Sequence, residues 1–76
     1  MINKYKNIYH RIGNNLKKER KKANLTQEQL ANITARVDKS KISNIENAKE
    51  DYMLSTLLEL TNALGIDIEQ LLSIKD

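Results

Sequence analysis

The sequence has no cysteine, proline, tryptophan or phenylalanine, and these absences exclude several classes of protein. Without cysteine there is no disulfide framework and no thiolate metal site. No apolar run approaches the roughly 18 residues that a membrane span requires, and the first residues lack the apolar stretch of a secretory signal. The aromatic residues are three tyrosines, too few for the stacking platforms that bind single-stranded nucleic acid. We therefore expect a cytoplasmic protein with no membrane partner.

Catalytic groupings are also missing. The single histidine, His10, has no metal-ligand spacing around it, the serines lack a placed base, and there is no glycine-rich phosphate loop. These observations predict a protein that is not an enzyme and needs no metal or cofactor. The chain of 76 residues favours one domain. We predict a flexible N-terminal tail over 1–7 and a single domain over 8–76.

Charge is divided unevenly along the chain. Residues 1–49 hold 12 basic and 4 acidic residues, a balance of +8, whereas residues 50–76 hold 1 basic and 6 acidic residues, a balance of −5. A basic half and an acidic half indicate one face turned toward nucleic-acid phosphate and another turned away. A soluble surface with uneven charge remains the alternative on charge alone.

The apolar pattern predicts short helices and no sheet. Ile8, Ile12 and Leu16 recur every four residues, and Arg20 continues this stripe, so a first helix is expected from about Ile8 to Ala23. Gly13 is expected to weaken it. Signals at helix ends predict four more helices. Thr26 and Gln29 predict the start of a second helix that ends near Ile33 or Thr34, and Asp38 predicts the start of a third that runs through Asn47. Gly65 predicts the end of a fourth helix over Leu54–Leu64. Asp67 and Gln70 predict the start of a fifth, which contains Leu71 and Leu72.

Three blocks of sequence resemble one known family. Residues 25–31 (LTQEQLA), 42–47 (ISNIEN) and 57–66 (LLELTNALGI) look like parts of the Cro/repressor-like, or xenobiotic-response-element, helix-turn-helix domain. The resemblance covers about residues 12–72. It implies an all-α, compact five-helix, lambda-repressor-like DNA-binding domain, whose helix-turn-helix is formed by the second and third helices.

The third helix has the pattern that a recognition helix needs. Ile42 and Ile45 supply a buried side, and the polar side chains between them leave a face free for the major groove. Asn44 can pair with an adenine edge, and Lys39 can reach the acceptors of guanine. Carried over residue by residue, the resemblance implies base reading by Lys39, Ser40 and Asn44. It implies phosphate contacts by Gln27, Lys41, Ser43, Asn47 and Lys49.

The resemblance also implies an internal ion pair between Arg20 and Glu46. Arg20 lies on the apolar stripe of the first helix, where an unpaired charge would be costly. A phosphate contact by Arg20 is the alternative.

The chain departs from the family pattern at two turns. The turn Thr34–Asp38 is a residue longer than usual, and Ala35 and Arg36 replace the usual glycine. We expect this turn to alter the placement of the recognition helix. Asp38 itself is read mainly as a helix cap that could accept a hydrogen bond from a cytosine amino group. After that helix, Ala48 replaces a second glycine, so the left-handed stop is expected to be lost there.

Together these features predict a sequence-specific regulator of transcription, most simply a repressor, that binds double-stranded DNA as a homodimer on a palindromic operator. The predicted dimer surface is formed by apolar residues near the C-terminus, namely Ile66, Ile68, Leu71, Leu72 and Ile74. No small-molecule effector is expected. The alternative is a protein-interaction module such as an antitoxin, or a regulator of the restriction-modification controller type.

Overall fold

Residues 3–73 are described by the structure, a computed structural model, and within them there are five α-helices and no strand. The helices are α1 (Lys6–Lys22), α2 (Gln27–Ile33), α3 (Lys39–Glu46), α4 (Leu54–Leu64) and α5 (Ile68–Leu72). The predicted all-α, five-helix fold is confirmed. One difference lies at the start, where α1 begins at Lys6 rather than Ile8 and follows a 3₁₀ turn over Asn3–Tyr5. Helical structure therefore extends into the segment predicted as a flexible tail.

The predicted caps form at the starts of α2 and α3. The Thr26 hydroxyl accepts a hydrogen bond from the Gln29 backbone N–H at 3.0 Å, and the Gln29 side chain accepts one from the Thr26 N–H at 2.8 Å. Asp38 accepts from the Lys41 backbone N–H at 2.8 Å. These bonds satisfy donors that have no partner inside the helix, and so they set where each helix begins.

Three helices end in the same hydrogen-bonded turn, the Schellman motif, with a residue of left-handed backbone just after the helix. These residues are Asn24 (φ 59°), Ala48 (φ 54°) and Gly65 (φ 70°). After α3, the Ala48 N–H donates to the carbonyl of Ile45 at 3.1 Å and the Lys49 N–H donates to that of Asn44 at 2.8 Å. The expectation that the left-handed stop is lost at Ala48 was therefore wrong, because alanine itself adopts that conformation here.

The core lies where α1 packs on α3 and α5 and where α2 packs on α3 and α4. Its members are buried apolar side chains from every helix and from the turn before α3, namely Ile12, Leu16, Leu30, Val37, Ile42, Ile45, Leu57, Leu60 and Leu71. Helices α2 to α5 have only 5 to 11 residues, too few to be stable in isolation, so this shared burial holds them in place. Asn15 adds a polar link by donating to the carbonyl of Leu71 at 2.8 Å.

Gly13 has a role that the sequence did not reveal. A Cβ built on it would lie 2.7 Å from the carbonyl oxygen of Glu46 and closer still to that of Ile45. Glycine thus allows the backbones of α1 and α3 to touch, and this contact fixes the position of α3.

The long turn between α2 and α3 is closed without any left-handed residue, since none of residues 34–38 has positive φ. The Thr34 hydroxyl lies 2.8 Å from the carbonyl oxygen of Ala31 and 2.9 Å from that of Val37. Val37 is buried, and the Ala35 N–H donates to Glu59 of α4 at 3.3 Å. The turn is therefore closed without the glycine that is usual in the family pattern.

Candidate nucleic-acid interface

Helix α3 turns its apolar side inward and its polar side outward. Ile42 and Ile45 are both fully buried, while Lys39 and Ser40 are exposed and Asn44 is half-buried at the surface. The small side chains of Ser40 and Ser43 leave room on this helix for a close approach to a base edge. The three residues predicted to read bases thus lie on the outward side of one helix, as groove reading requires.

Gln27, at the start of α2, lies beside this surface. Together with α3 it lines a shallow concavity whose other members are Lys39, Ser40, Ser43 and Asn44. The Gln27 amide also donates to the carboxylate of Glu46 at 3.1 Å. This bond holds the side chain against α3, and its place at the rim fits the predicted contact with phosphate.

A second concavity adjoins the first along α3 and shares Ser40 and Asn44 with it. Its other lining residues are Arg36, Asp38, Lys41 and Glu50. Sequence reasoning did not single out Arg36 or Glu50. Arg36 is exposed and lies in the lengthened turn. Its position in the sequence, just before the recognition helix, could have indicated that it lies near the DNA surface. Nothing in the sequence indicated Glu50, because only the turn at Ala48 brings it back to α3.

Glu50 forms contacts with two residues predicted to touch DNA. Its Oε2 lies 2.5 Å from Nζ of Lys41, and its Oε1 accepts from the Asn44 amide at 2.6 Å. These two donors lower the pKa of the Glu50 carboxyl below its ordinary value, the lysine contributing most. The carboxylate is therefore ionised at neutral pH.

The remaining predicted phosphate contacts cluster at the end of α3. The Asn47 side chain is exposed and donates to the carbonyl of Ser43 at 2.9 Å, and Lys49 is exposed in the following turn. Ser43 is half-buried on the concavity beside Gln27. All five predicted phosphate contacts therefore lie on α3, at its end, or at the rim formed by α2.

Arg20 and Glu46 form a buried ion pair behind the recognition helix. The Arg20 Nε lies 2.7 Å from Oε2 of Glu46, and its Nη2 donates to Oε1 at 3.0 Å. The third guanidinium nitrogen, Nη1, donates to the carbonyl of Leu25 at 2.7 Å. With 7% and 5% of their surfaces exposed, Arg20 and Glu46 fasten α1 to α3, and all three guanidinium nitrogens of Arg20 are bonded within the protein.

Two tyrosines tie α1 to the loop that carries Glu50. The Tyr9 hydroxyl donates to Asp51 at 2.5 Å, which raises the pKa of Tyr9 and lowers that of Asp51. The Tyr9 and Tyr52 rings meet edge to face with centroids 5.4 Å apart. Burial, with smaller effects of Tyr9 and Asp51, raises the pKa of Tyr52 to about 12.

The predicted dimer residues fall into different environments. Leu71 is completely buried in the core of the single chain, so it offers no surface to a second copy and its assignment to a dimer surface is corrected. Leu72 is 47% exposed, and Ile66 and Ile68 are half-buried. Ile74 lies outside the described residues. Sequence reasoning missed two exposed leucines one turn apart on α4, Leu54 and Leu58.

Membrane-crossing helices and metal-binding clusters are both absent from residues 3–73. No helix in that range is both long enough and apolar enough to cross a membrane. Nor do three histidine or acidic side chains come together there in a way that could hold a metal ion.

Known proteins share this architecture. The family model described as a helix-turn-helix domain matches residues 13–76. The structure of the restriction-modification controller protein C.AhdI from Aeromonas hydrophila superposes with a TM-score of 0.82 and 27% identity, over 88% of this chain and 96% of that one. A hypothetical transcription factor, NHTF from Neisseria, gives 0.81 and 26%, over 87% of this chain and 75% of that one. No curated protein matches the chain.

The chain therefore belongs to the helix-turn-helix domain family, since the match spans most of its length. It is a DNA-binding regulator of transcription of the Cro/repressor type, and the family inferred from the sequence is confirmed.

Proposed function

We propose that the protein represses transcription by binding a palindromic operator as a homodimer, with α3 of each copy in the major groove. The outward polar face of α3 carries this proposal. Its inner side is fixed by Ile42 and Ile45 and its start is capped by Asp38, so the helix is held rigidly. A rigid helix can place its side chains against base edges with the precision that sequence reading requires.

The proposed roles divide along this face. Lys39, Ser40 and Asn44 would read base edges, and the residues at the rim of α2 and the end of α3 would contact phosphates. Replacing Asn44 or Lys39 by alanine should change which bases are preferred, whereas replacing Lys49 should weaken binding to all sequences alike. The measurement is the affinity of each variant for a panel of single-base operator changes. Equal effects on every sequence from Asn44→Ala would contradict its role in base reading.

Selection from a random library of double-stranded DNA is the primary experiment. A homodimer should enrich a palindrome with half-site centres about 34 Å apart, one turn of the duplex. Absence of any enriched sequence would contradict the proposal. A reporter gene placed behind the selected site would separate repression, which lowers its expression, from activation, which raises it.

The homodimer has exposed apolar surface available to it. Leu72 on α5 and the pair Leu54 and Leu58 on α4 are large side chains left open to solvent in the single chain. If a second copy covers α5, Leu72→Glu should shift the protein toward monomer in analytical ultracentrifugation. Asn32→Glu adds the same charge at an exposed position of α2 and serves as the matched control. Equal behaviour of the two variants would place the dimer contact elsewhere.

A protein-interaction module remains the competing proposal, and salt dependence separates it from DNA binding. With about six phosphate contacts, the logarithm of the DNA affinity should fall with a slope of about −5.4 against the logarithm of salt concentration. A flat response would favour the protein partner.

The similarity to C.AhdI favours a more specific candidate, the control of restriction-modification genes. Binding of the protein upstream of its own gene and a neighbouring endonuclease gene would support it.

A further inference from the structure

The polar face of α3 is already contacted by an acidic side chain of the same chain. Both carboxylate oxygens of Glu50 accept hydrogen bonds from this face, one from the Lys41 ammonium at 2.5 Å and one from the Asn44 amide at 2.6 Å. Lys41 and Asn44 are one helical turn apart and so lie on the same side of α3. These are the two kinds of donor that would meet DNA under the function proposed above.

The backbone places Glu50 there. The left-handed Ala48 and the bond from the Lys49 N–H to the Asn44 carbonyl reverse the chain at the end of α3. The next residue therefore runs back beside the helix rather than away from it. The adjoining loop is held in turn by the bond between Tyr9 and Asp51. Glu50 is thus presented to α3 by an ordered turn.

The chemistry of this contact resembles that of a DNA phosphate. An ionised carboxylate offers two anionic oxygens to an ammonium and an amide, as a phosphate group does. The Lys41 and Glu50 side chains are each about one-third exposed, at 34% and 33%. An ion pair so open to water is weak and can exchange one partner for another.

We propose that Glu50 is an internal competitor that must release Lys41 and Asn44 before α3 contacts DNA fully. This inference rests on the proposed DNA-binding role of α3. At non-operator DNA, binding depends on phosphate contacts alone, and these need not displace Glu50. At the operator, base contacts from α3 require its release and offset the cost. Glu50 therefore lowers the affinity for the operator by the full cost of its release, and the affinity for other DNA by no more than that.

Glu50→Gln in the full chain tests this, because glutamine keeps the size of the side chain and removes its charge. The probes are the operator obtained by selection and a scrambled duplex of the same base composition. For the scrambled duplex, we expect affinity to rise and the slope against salt to steepen by about 0.9 for each bound protein chain, or about 1.8 for a homodimer, because each chain gains one phosphate contact. Operator affinity should rise several-fold and by at least as much, because the operator complex recovers the whole cost of releasing Glu50.

Glu69→Gln is the matched control, since Glu69 is exposed on α5, which packs on α1 and α4. It removes the same charge from the molecule without touching α3. Analytical ultracentrifugation of this variant separates any effect on a dimer contact at α5 from an effect on DNA affinity. Equal changes in affinity and salt slope for Glu50→Gln and Glu69→Gln would overturn the proposal. So would weaker operator binding by Glu50→Gln at an unchanged slope, because Glu50 would then orient Asn44 rather than compete with DNA.

These results are distinct from a failure of the proposed function. If only the role of Glu50 is wrong, the unmodified protein still selects an operator and binds it with the expected salt slope. If the unmodified protein binds neither duplex, both the proposed DNA-binding function and the role of Glu50 are contradicted. Circular dichroism spectra of both variants should match that of the unmodified protein, because both substituted side chains are at the surface.

Discussion

Replacing Arg20 by alanine removes one partner of the ion pair that joins α1 to α3. The Glu46 side chain that remains is 2% exposed, so water cannot readily take the place of the guanidinium. It loses the donors Nε and Nη2 and keeps the Gln27 amide. Breaking a buried pair in this way costs roughly 3–5 kcal/mol of stability.

That loss is large compared with the total. A chain of this size is stable by roughly 4–11 kcal/mol, taking about 0.05–0.15 kcal/mol per residue. Each kcal/mol corresponds to a melting-temperature change of about 4–8 °C for a domain of this size. Urea denaturation at neutral pH, followed by far-ultraviolet circular dichroism, measures the change directly.

Two further variants make this test specific. Lys17→Ala removes an exposed charge from the same helix and should change stability by no more than about 0.5 kcal/mol. The double variant Arg20→Met, Glu46→Leu removes both charges and should recover much of the stability lost by Arg20→Ala, since no buried charge is left unpaired. A loss below about 1 kcal/mol for Arg20→Ala would refute the reasoning.

Two other predictions follow from contacts of α1. Gly13→Ala should destabilise the fold by about 1–3 kcal/mol in urea denaturation, because the added methyl group overlaps the carbonyls of α3. Asn14→Ala, at the adjacent exposed position, should be neutral or stabilising. Equal effects of the two substitutions on stability would contradict the close approach of α1 and α3. Raised pKa values of Tyr9 and Tyr52 mean that the folded state keeps protons that the unfolded state loses above about pH 10. Stability from these two groups should therefore be complete below pH 10 and be lost as the pH rises toward 12. An ultraviolet titration of tyrosinate in the folded protein should show both ionising above pH 10, and two ordinary tyrosine titrations would contradict this.

Signals that act within a few residues identified most of the fold. Thr26 and Asp38 cap helices because their side chains bond to backbone groups three residues away, and this spacing is visible in the sequence. Gly65 stops α4 for a similarly local reason. The stripe of Ile12 and Leu16 likewise indicates the buried side of α1, whatever it packs against.

Contacts across the chain could not be predicted in this way. Gly13 looked like a weak point of α1, and only the packing of α3 against it shows why glycine is needed. Leu71 and Leu72 are adjacent and chemically identical, yet one is fully buried and the other is 47% exposed. Their difference depends on how α5 rotates against its neighbours, which the apolar pattern of five residues does not define.

The helices, the capped starts of α2 and α3 and the polar side of α3 could all be recognised from local patterns of residues. Hydrogen bonds and side-chain periodicity within single helices are local, so they can be read from neighbouring residues. The left-handed backbone at Ala48 and the return of Glu50 to Lys41 and Asn44 depend instead on contacts between distant parts of the chain. The α1–α3 packing and the loop held by Tyr9 position that turn, so the acidic contact on the recognition helix arises from the whole fold.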